Sequence, residues 1–569
     1  MNSPLLLTLR RLRWPLVLLV AVYAVGMLGL VLIPGVDEHG NPTRMGFFHA
    51  FYFLSYTAST IGFGELPGAF TDTQRLWVTV VIYLSVIAWA VVIGNGLSLL
   101  QDRGFRLAVT EQRFRRKVGR LHEPFYIICG YGETGALVCH TLDRWGVRFT
   151  VLDKDPDTID TVDLAQYASD TPALAADAAQ PERLLAAGLD NPACRGVLAL
   201  TNDDDANLAV AITVRLLNPS VPVLARAMSR STADNMASFH TDHVVNPFQI
   251  FGDTLATALE SPAMFRLILR LTTPHHRGPD VDDCPPRGRW VVCGYGRFGR
   301  EVVAAFEDES LEVAIIDPVP PKPGGKQHIV GLGTEAEPLL AAGIRESVGI
   351  VAGTDDDVNN LSIAVTARGL NPDLFVIVRQ NLHANRRLFE AFKPNYNAVS
   401  AEIIAGRCLS VIATPLLDPF LKQARRQPDG WAAALLERID GEVSRLAPAT
   451  WSLTLDALEA PAVVDALGKG ERVRLQDLLA DPADRSQRIA CIPLMLRRAG
   501  EDRLLPEDGT PLRAGDQLLF TGRNRARRDQ RAAVSNVNVL DYLLTGRNVP
   551  GGWIWRRLAR DGGGAGPDA

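Results

Sequence analysis

Two uncharged stretches near the N-terminus constrain this chain most. Trp14 to Ile33 runs 20 residues without a charged side chain, and Leu76 to Leu100 runs 25. A helix rises ~1.5 Å per residue, so about 20 residues reach ~30 Å, the thickness of a bilayer core, and both stretches predict membrane-spanning helices. A secretory signal peptide fits the first stretch poorly. Its apolar run exceeds the usual core of about 7 to 15 residues, and no A-x-A-like cleavage site follows. Arg10, Arg11 and Arg13 precede the first stretch, while Arg103, Arg106, Arg113, Arg115, Arg116 and Lys117 follow the second. The positive-inside rule therefore predicts a multi-pass protein of the cell (inner) membrane with both termini cytoplasmic. Between the spans, Met45 to Ala58 is apolar and helix-compatible but too short to cross. It reads as a re-entrant half-helix, which membrane depth tolerates only when buried in protein or lining a watery cavity.

The half-helix runs into Ser59-Thr60-Ile61-Gly62-Phe63-Gly64-Glu65. Span, pore helix, TIGFGE and span together resemble the two-helix potassium-channel pore, whose filter usually reads T-V-G-Y-G-D. A filter that replaces the hydration shell of K+ needs successive carbonyls turned inward, and glycines at alternate positions accept the backbone angles this requires. The resemblance implies a selectivity filter of Thr60, Ile61, Gly62, Phe63, Gly64 and Glu65. In it the carbonyls of Thr60 to Phe63 and the Thr60 hydroxyl line the ion sites, and a homotetramer closes one pore. Phe63 replaces the usual tyrosine and so lacks a hydroxyl that pins the filter wall. Glu65 replaces the usual aspartate and is expected to accept a hydrogen bond from Tyr52. No further span carries arginine at every third position, so a voltage sensor is not expected. Gly94 and Gly96, near the cytoplasmic end of the second span, are the candidate gate or hinge, with close helix packing as the alternative.

Beyond a polar, basic linker (101–123), the chain repeats itself. Phe125 to Pro156 aligns with Arg289 to Val319, Gly130 matching Gly294 and Asp153 matching Asp317. LLAAG recurs at Leu184 and Leu339, DDD at Asp203 and Asp355, and LNP at Leu217 and Leu370. A nearly constant offset marks a duplicated domain. Each copy alternates β-like apolar runs with helical segments, which predicts a doubly wound parallel sheet of Rossmann type. In each, Gly-x-Gly-x-x-Gly follows the first strand and an aspartate ends the second. The glycines permit a tight turn and close approach of a pyrophosphate, and the aspartate can hold ribose hydroxyls.

The copies resemble RCK (TrkA-N or KTN) domains. The resemblance implies nucleotide-binding residues Gly130, Gly132, Glu133, Thr134, Gly135, Asp153, Asp177 and Arg226 in the first copy. In the second it implies Gly294, Gly296, Arg297, Gly299, Asp317 and Arg379. The family's D-D-x-x-N-L helix start is matched to Asp204, Asp205 and Leu208, and to Asp356, Asp357 and Leu361. Glu133 stands where many relatives carry a phosphate-directed arginine, which the second copy keeps as Arg297. Leu332 stands where the first copy has Asp177, and Pro318, Pro320 and Pro321 crowd the adenine side. The first copy is therefore the better candidate for NAD or ADP. Calcium (Ca2+) at the acidic triplets is the weaker alternative, because aspartates at helix starts serve as caps and Arg226 and Arg379 stand where further ligands are needed.

The formal charge of −5 and pI near 6.1 give no basic field for nucleic acid. All seven cysteines lie beyond residue 125 without metal-ligand spacing, which suits buried thiols in a reducing cytosol. The expected fold is a membrane α-helical pore (1–100), two α/β Rossmann-type RCK domains (124–288 and 289–425), a small α+β lobe resembling RCK-C or TrkA-C (426–545) and a glycine-rich tail (546–569). The expected function is a potassium-selective channel in a lipid bilayer, gated by a small-molecule nucleotide on a cytoplasmic ring. It is not expected to be an enzyme. The competing reading is a membrane-anchored NAD-dependent oxidoreductase, but no His/Lys/Tyr constellation stands out near either fingerprint and the pore segment goes unexplained.

Overall fold

The computed structural model describes residues 4–36, 41–64, 69–101, 103–272, 284–319, 327–443 and 448–547. The chain divides into two compact units, Met1–Arg120 and Leu121–Ala569.

The first unit is helical: Pro4–Leu32, the half-helix Phe47–Ala58, Asp72–Gln101 and Arg103–Val118. Arg13–Leu32 and Asp72–Ser98 are long and apolar enough to cross a membrane, each with mean hydropathy 2.5. Glycines decide how closely the long helices approach. A Cβ at Gly29 would lie 2.1 Å from the Trp77 ring, and the Trp77 indole N–H donates to the Gly26 carbonyl at 3.2 Å. Leu30, Phe53, Leu54, Tyr56, Phe70 and Val81 form the core that seats the half-helix against both long helices. Many outward apolar side chains, among them Trp14, Val20, Leu76 and Tyr83, are exposed, as suits a surface solvated by hydrocarbon.

The second unit holds two six-stranded, all-parallel sheets of matching order. In the first, Ala173–Ala175, Arg148–Asp153, Phe125–Cys129, Cys194–Ala199, Val223–Arg226 and His243–Val245 lie side by side. The second orders Gln327–Val330, Val313–Asp317, Trp290–Cys293, Gly349–Ala352, Phe375–Gln380 and Tyr396–Val399 in the same way. Chain order 3-2-1-4-5-6 is the Rossmann arrangement, in which ligands gather at the carboxyl edge where the order reverses. Central strands read as near-continuous Val, Ile and Leu because helices cover both faces.

Each copy lends a helix to the other. Pro247–Glu260, which follows the first sheet, packs on Arg297–Asp308 of the second copy, burying Phe248, Phe251 and Leu255 with Trp290, Phe298 and Val302. Reciprocally, Ser400–Ala413 packs on Glu133–Arg144, burying Ile404, Ala405 and Cys408 with Val138, Cys139 and Leu142. A Cβ at Gly252 would come within 3.1 Å of the Glu301 carbonyl, so the first crossing is tight. A further core joins Pro262–Thr272, Leu417–Ala424 and Asp429–Glu442 to a four-stranded antiparallel sheet of order Ala449–Thr454, Gln517–Gly522, Cys491–Arg498 and Glu501–Leu504.

The helix starts correct one register. The DDD triplets align by letter at Asp203 and Asp355, but the equivalent N-caps are Asp203 and Asp356, and the first helical residues are Asp204 and Asp357. The true pairing thus sets Asp204 against Asp357, Asn207 against Asn360 and Asn202 against Asp355.

Candidate functional site

The half-helix ends at Ala58, and the backbone then alternates in hand. Thr60 (φ 62°), Gly62 (φ 64°) and Gly64 (φ 101°) are left-handed, while Ile61 and Phe63 are not. Such alternation turns successive carbonyls toward one side instead of opposite sides, and glycine accepts it without Cβ strain. Thr60, which has a Cβ, is held there by hydrogen bonds on both sides: its own N–H donates to the Thr57 carbonyl at 3.1 Å, and the Ile61 N–H to the Tyr56 carbonyl at 2.9 Å. The Gly62 N–H shares the Tyr56 carbonyl at 3.2 Å. The buried Tyr56 also donates its hydroxyl to the Gly64 carbonyl at 2.6 Å, and its ring meets Phe63 edge-on at 5.4 Å. A hydroxyl of the half-helix thus ties down the Gly64 carbonyl beside Phe63, which has none of its own. Glu65, and with it the expected bond from Tyr52, lies outside the described residues.

Asp72–Gln101 runs unbroken through Gly94 and Gly96, and a Cβ at either would meet nothing within 4 Å. Within the chain these glycines are therefore not packing contacts.

Both glycine loops of the second unit have the same build. Gly130 (φ 99°) and Gly294 (φ 94°) take left-handed turns that L side chains resist. At Gly135 a Cβ would lie 2.1 Å from the Gly130 carbonyl oxygen, and at Gly299 1.9 Å from that of Gly294, so both need hydrogen. Gly132 and Gly296 face open space and cap the helices that follow. The Tyr131 N–H donates to Asp153 at 2.7 Å and the Tyr295 N–H to Asp317 at 2.6 Å, so each spaced aspartate braces the loop it faces. Thr134 is buried in the first helical turn. Asp177 is exposed, beside the residue whose N–H donates to the Asp153 carbonyl, and the exposed Leu332 holds the matching place next to Asp317. Pro318 is described, whereas Pro320 and Pro321 lie outside the described residues.

Two buried asparagines, missed in the sequence, tie the ligand edge together. Asn207 accepts from the Thr201 N–H at 3.0 Å and donates to the Thr201 and Arg226 carbonyls; Asn360 repeats this with Thr354 and Arg379. The signal was present as the shared D-x-x-N spacing, read one residue out of register. The acidic triplets are committed elsewhere: Asp203 and Asp356 cap helices, Asp204 accepts from the Met228 and Ser229 N–H groups, and Asp357 from those of Asn381 and Leu382. Among the described residues no group of three or more His, Cys, Asp or Glu is placed to hold a metal.

The arginines at the fifth-strand ends differ. Arg379 pairs with Asp355 at 2.6 Å and stacks over Phe248 at 4.9 Å, whereas Arg226 donates to Asn202 at 2.8 Å. Burial lowers the pKa of both, each is pushed further by Arg297, and acids oppose: Asp204 at Arg226, chiefly Asp355 at Arg379. Arg297 is exposed. Glu133 does not turn its carboxylate to its own loop; it accepts the His383 N–H of the second copy at 2.7 Å.

With these geometries in place, comparison with known proteins identifies the parts. Residues 17–102 match the ion-channel family model, and residues 126–247 and 290–397 each match the TrkA-N domain. Potassium channel protein 1 of Methanocaldococcus jannaschii is 25% identical over 39% of this chain and 65% of its own length. The voltage-gated potassium channel Kch of Escherichia coli is 25% identical over 39% of this chain and 51% of its own. The chain thus spans less than two thirds of either relative. A solved structure described as the GsuK channel bound to NAD aligns with 96% of this chain and 100% of that one, at 16% identity and a TM-score of 0.44. One polypeptide thus joins a match to the ion-channel family model with two matches to the TrkA-N domain.

Proposed function

We propose that this chain is the subunit of a homotetrameric, potassium-selective channel in the cell membrane, with both termini cytoplasmic. A nucleotide, NAD or ADP, binds the first RCK copy and biases the pore between closed and open by its differential affinity for the two states. The observation that carries this reading is the alternating backbone at Thr60, Gly62 and Gly64, anchored at the end of a half-helix too short to span. Four such segments around one axis supply the stacked carbonyl rings that substitute for water around K+. The match to an ion-channel family, together with loop aspartates engaged in bracing backbone rather than positioned for proton transfer, disfavours the oxidoreductase reading. Functionally the chain divides into pore (1–100), linker (101–123), two RCK domains (124–288 and 289–425), C-terminal lobe (426–545) and tail (546–569), with Gly94 and Gly96 as the candidate gate.

Recording the purified protein in planar bilayers under a potassium/sodium gradient, with NAD, ADP and calcium added in turn, tests this. The expected result is a reversal potential near that for potassium and an open probability that responds to NAD or ADP. Equal sodium and potassium permeability would remove the filter assignment.

A further inference from the structure

In a doubly wound fold the ligand edge is formed by the carboxyl ends of the strands and the loops after them. On that edge the loop after the fifth strand differs between the copies. In the second copy three successive N–H groups are met by carboxylates: Asn381 and Leu382 donate to Asp357 at 2.6 and 3.0 Å, and His383 to Glu133 at 2.7 Å. The first two bonds recur in the first copy, where Met228 and Ser229 donate to Asp204 at 2.8 and 3.0 Å. The third does not. Arg230 holds the position equivalent to His383, and the residue of the second copy equivalent to Glu133 is Arg297. The exchange across the pair is thus unequal. The first copy places a carboxylate on the second copy's ligand edge, while Arg297 lies close enough to Arg226 and to Arg379 of its own copy to lower the pKa of both.

We infer that Glu133 makes the tandem pair bind one nucleotide rather than two: its carboxylate, held on the His383 N–H, is a resident anion that repels nucleotide phosphates from the second copy. This rests on the nucleotide reading above and assigns its asymmetry to one residue. Like charges brought together at a partly buried surface are costly, and here the first charge is fixed in place by a hydrogen bond. The first copy carries no such charge on its own fifth-strand loop. The Glu133 carboxylate is engaged by the His383 N–H, and Gly132 opens the first glycine loop to space. Glu133→Gln separates charge from geometry, since an amide oxygen still accepts from His383.

Calorimetry on the full chain in detergent, with ADP and with adenosine as a phosphate-free control, tests the inference. Wild type is expected to bind one ADP per chain and Asp153→Ala to bind it about tenfold or more weakly. Adding Glu133→Gln to Asp153→Ala is expected to restore one ADP, at least about tenfold tighter than in Asp153→Ala alone, with adenosine binding unchanged. Two ADP per wild-type chain overturns the inference, as does a double variant that binds no tighter than Asp153→Ala while wild type binds one. A gain for adenosine equal to that for ADP also overturns it, because it marks loosening of the loop rather than relief of repulsion. Absence of ADP and NAD binding from wild type and double variant alike removes the nucleotide reading itself.

Discussion

The two RCK copies share their bracing and differ in their rims. Glycine turns, loop-facing aspartates and edge asparagines superimpose bond for bond: Asp153 with Asp317, Asn207 with Asn360, Gly130 with Gly294. The rim is rewritten, with Glu133 against Arg297, Asp177 against Leu332 and Asn202 against Asp355. Tyr131 meets Tyr167 hydroxyl to hydroxyl at 2.5 Å, whereas its counterpart Tyr295 lies against Arg300 and His328. A duplicated domain keeps what holds its backbone and is free to change what faces a ligand, so ligand specificity belongs to the rim and foldability to the bracing.

Substitutions that break this division should do so in descending order. The largest and most symmetric effect is expected at the third glycines. Gly135→Ala and Gly299→Ala each place a methyl against a carbonyl oxygen and should each cost about 3 kcal/mol or more, read by denaturant unfolding of the full chain. A loss in only one copy would show that the loops are not built alike. Next come the edge asparagines: Asn207→Ala and Asn360→Ala each strand several buried partners and should cost about 2–3 kcal/mol, again in parallel. The rim should then respond unequally. Asp153→Ala is expected to weaken nucleotide binding by about tenfold or more, ~1.4 kcal/mol, while Asp317→Ala leaves it within about twofold; equal losses would erase the difference between the copies. The smallest effect is a trade of partners. Asn202→Asp should add an ion pair to Arg226 and Asp355→Asn should remove one from Arg379, each shifting stability by only ~0.2–1 kcal/mol because Asp355 is largely exposed. Both shifts should shrink in high salt.

Much of this organisation could be read in advance because it depends on local spacing. Uncharged runs of spanning length, a short apolar segment before alternating glycines, and two glycine fingerprints each followed by a spaced aspartate are patterns a chain cannot hide. The parts that escaped are set by contacts distant in sequence. Glu133 and His383 meet across 250 positions, and no local pattern announces such a bond. The bond from Tyr56 to the Gly64 carbonyl was not foreseen either, because helix phase and the turn at Thr60 jointly decide which ring faces that carbonyl. The acidic triplets misled by composition: three aspartates matched three aspartates, although the cap after the fourth strand is displaced by one residue where Asn202 becomes Asp355.

The exchanged crossover helices carry a consequence for synthesis. The helix Glu133–Arg144 emerges from the ribosome with an apolar face whose cover, Ser400–Ala413, is not yet translated. At ~5–20 residues per second the wait lasts on the order of tens of seconds. During that interval the nascent first domain carries an uncovered apolar flank. Synthesis is thus the stage at which this apolar face stays uncovered longest, and transiently exposed apolar surface favours aggregation.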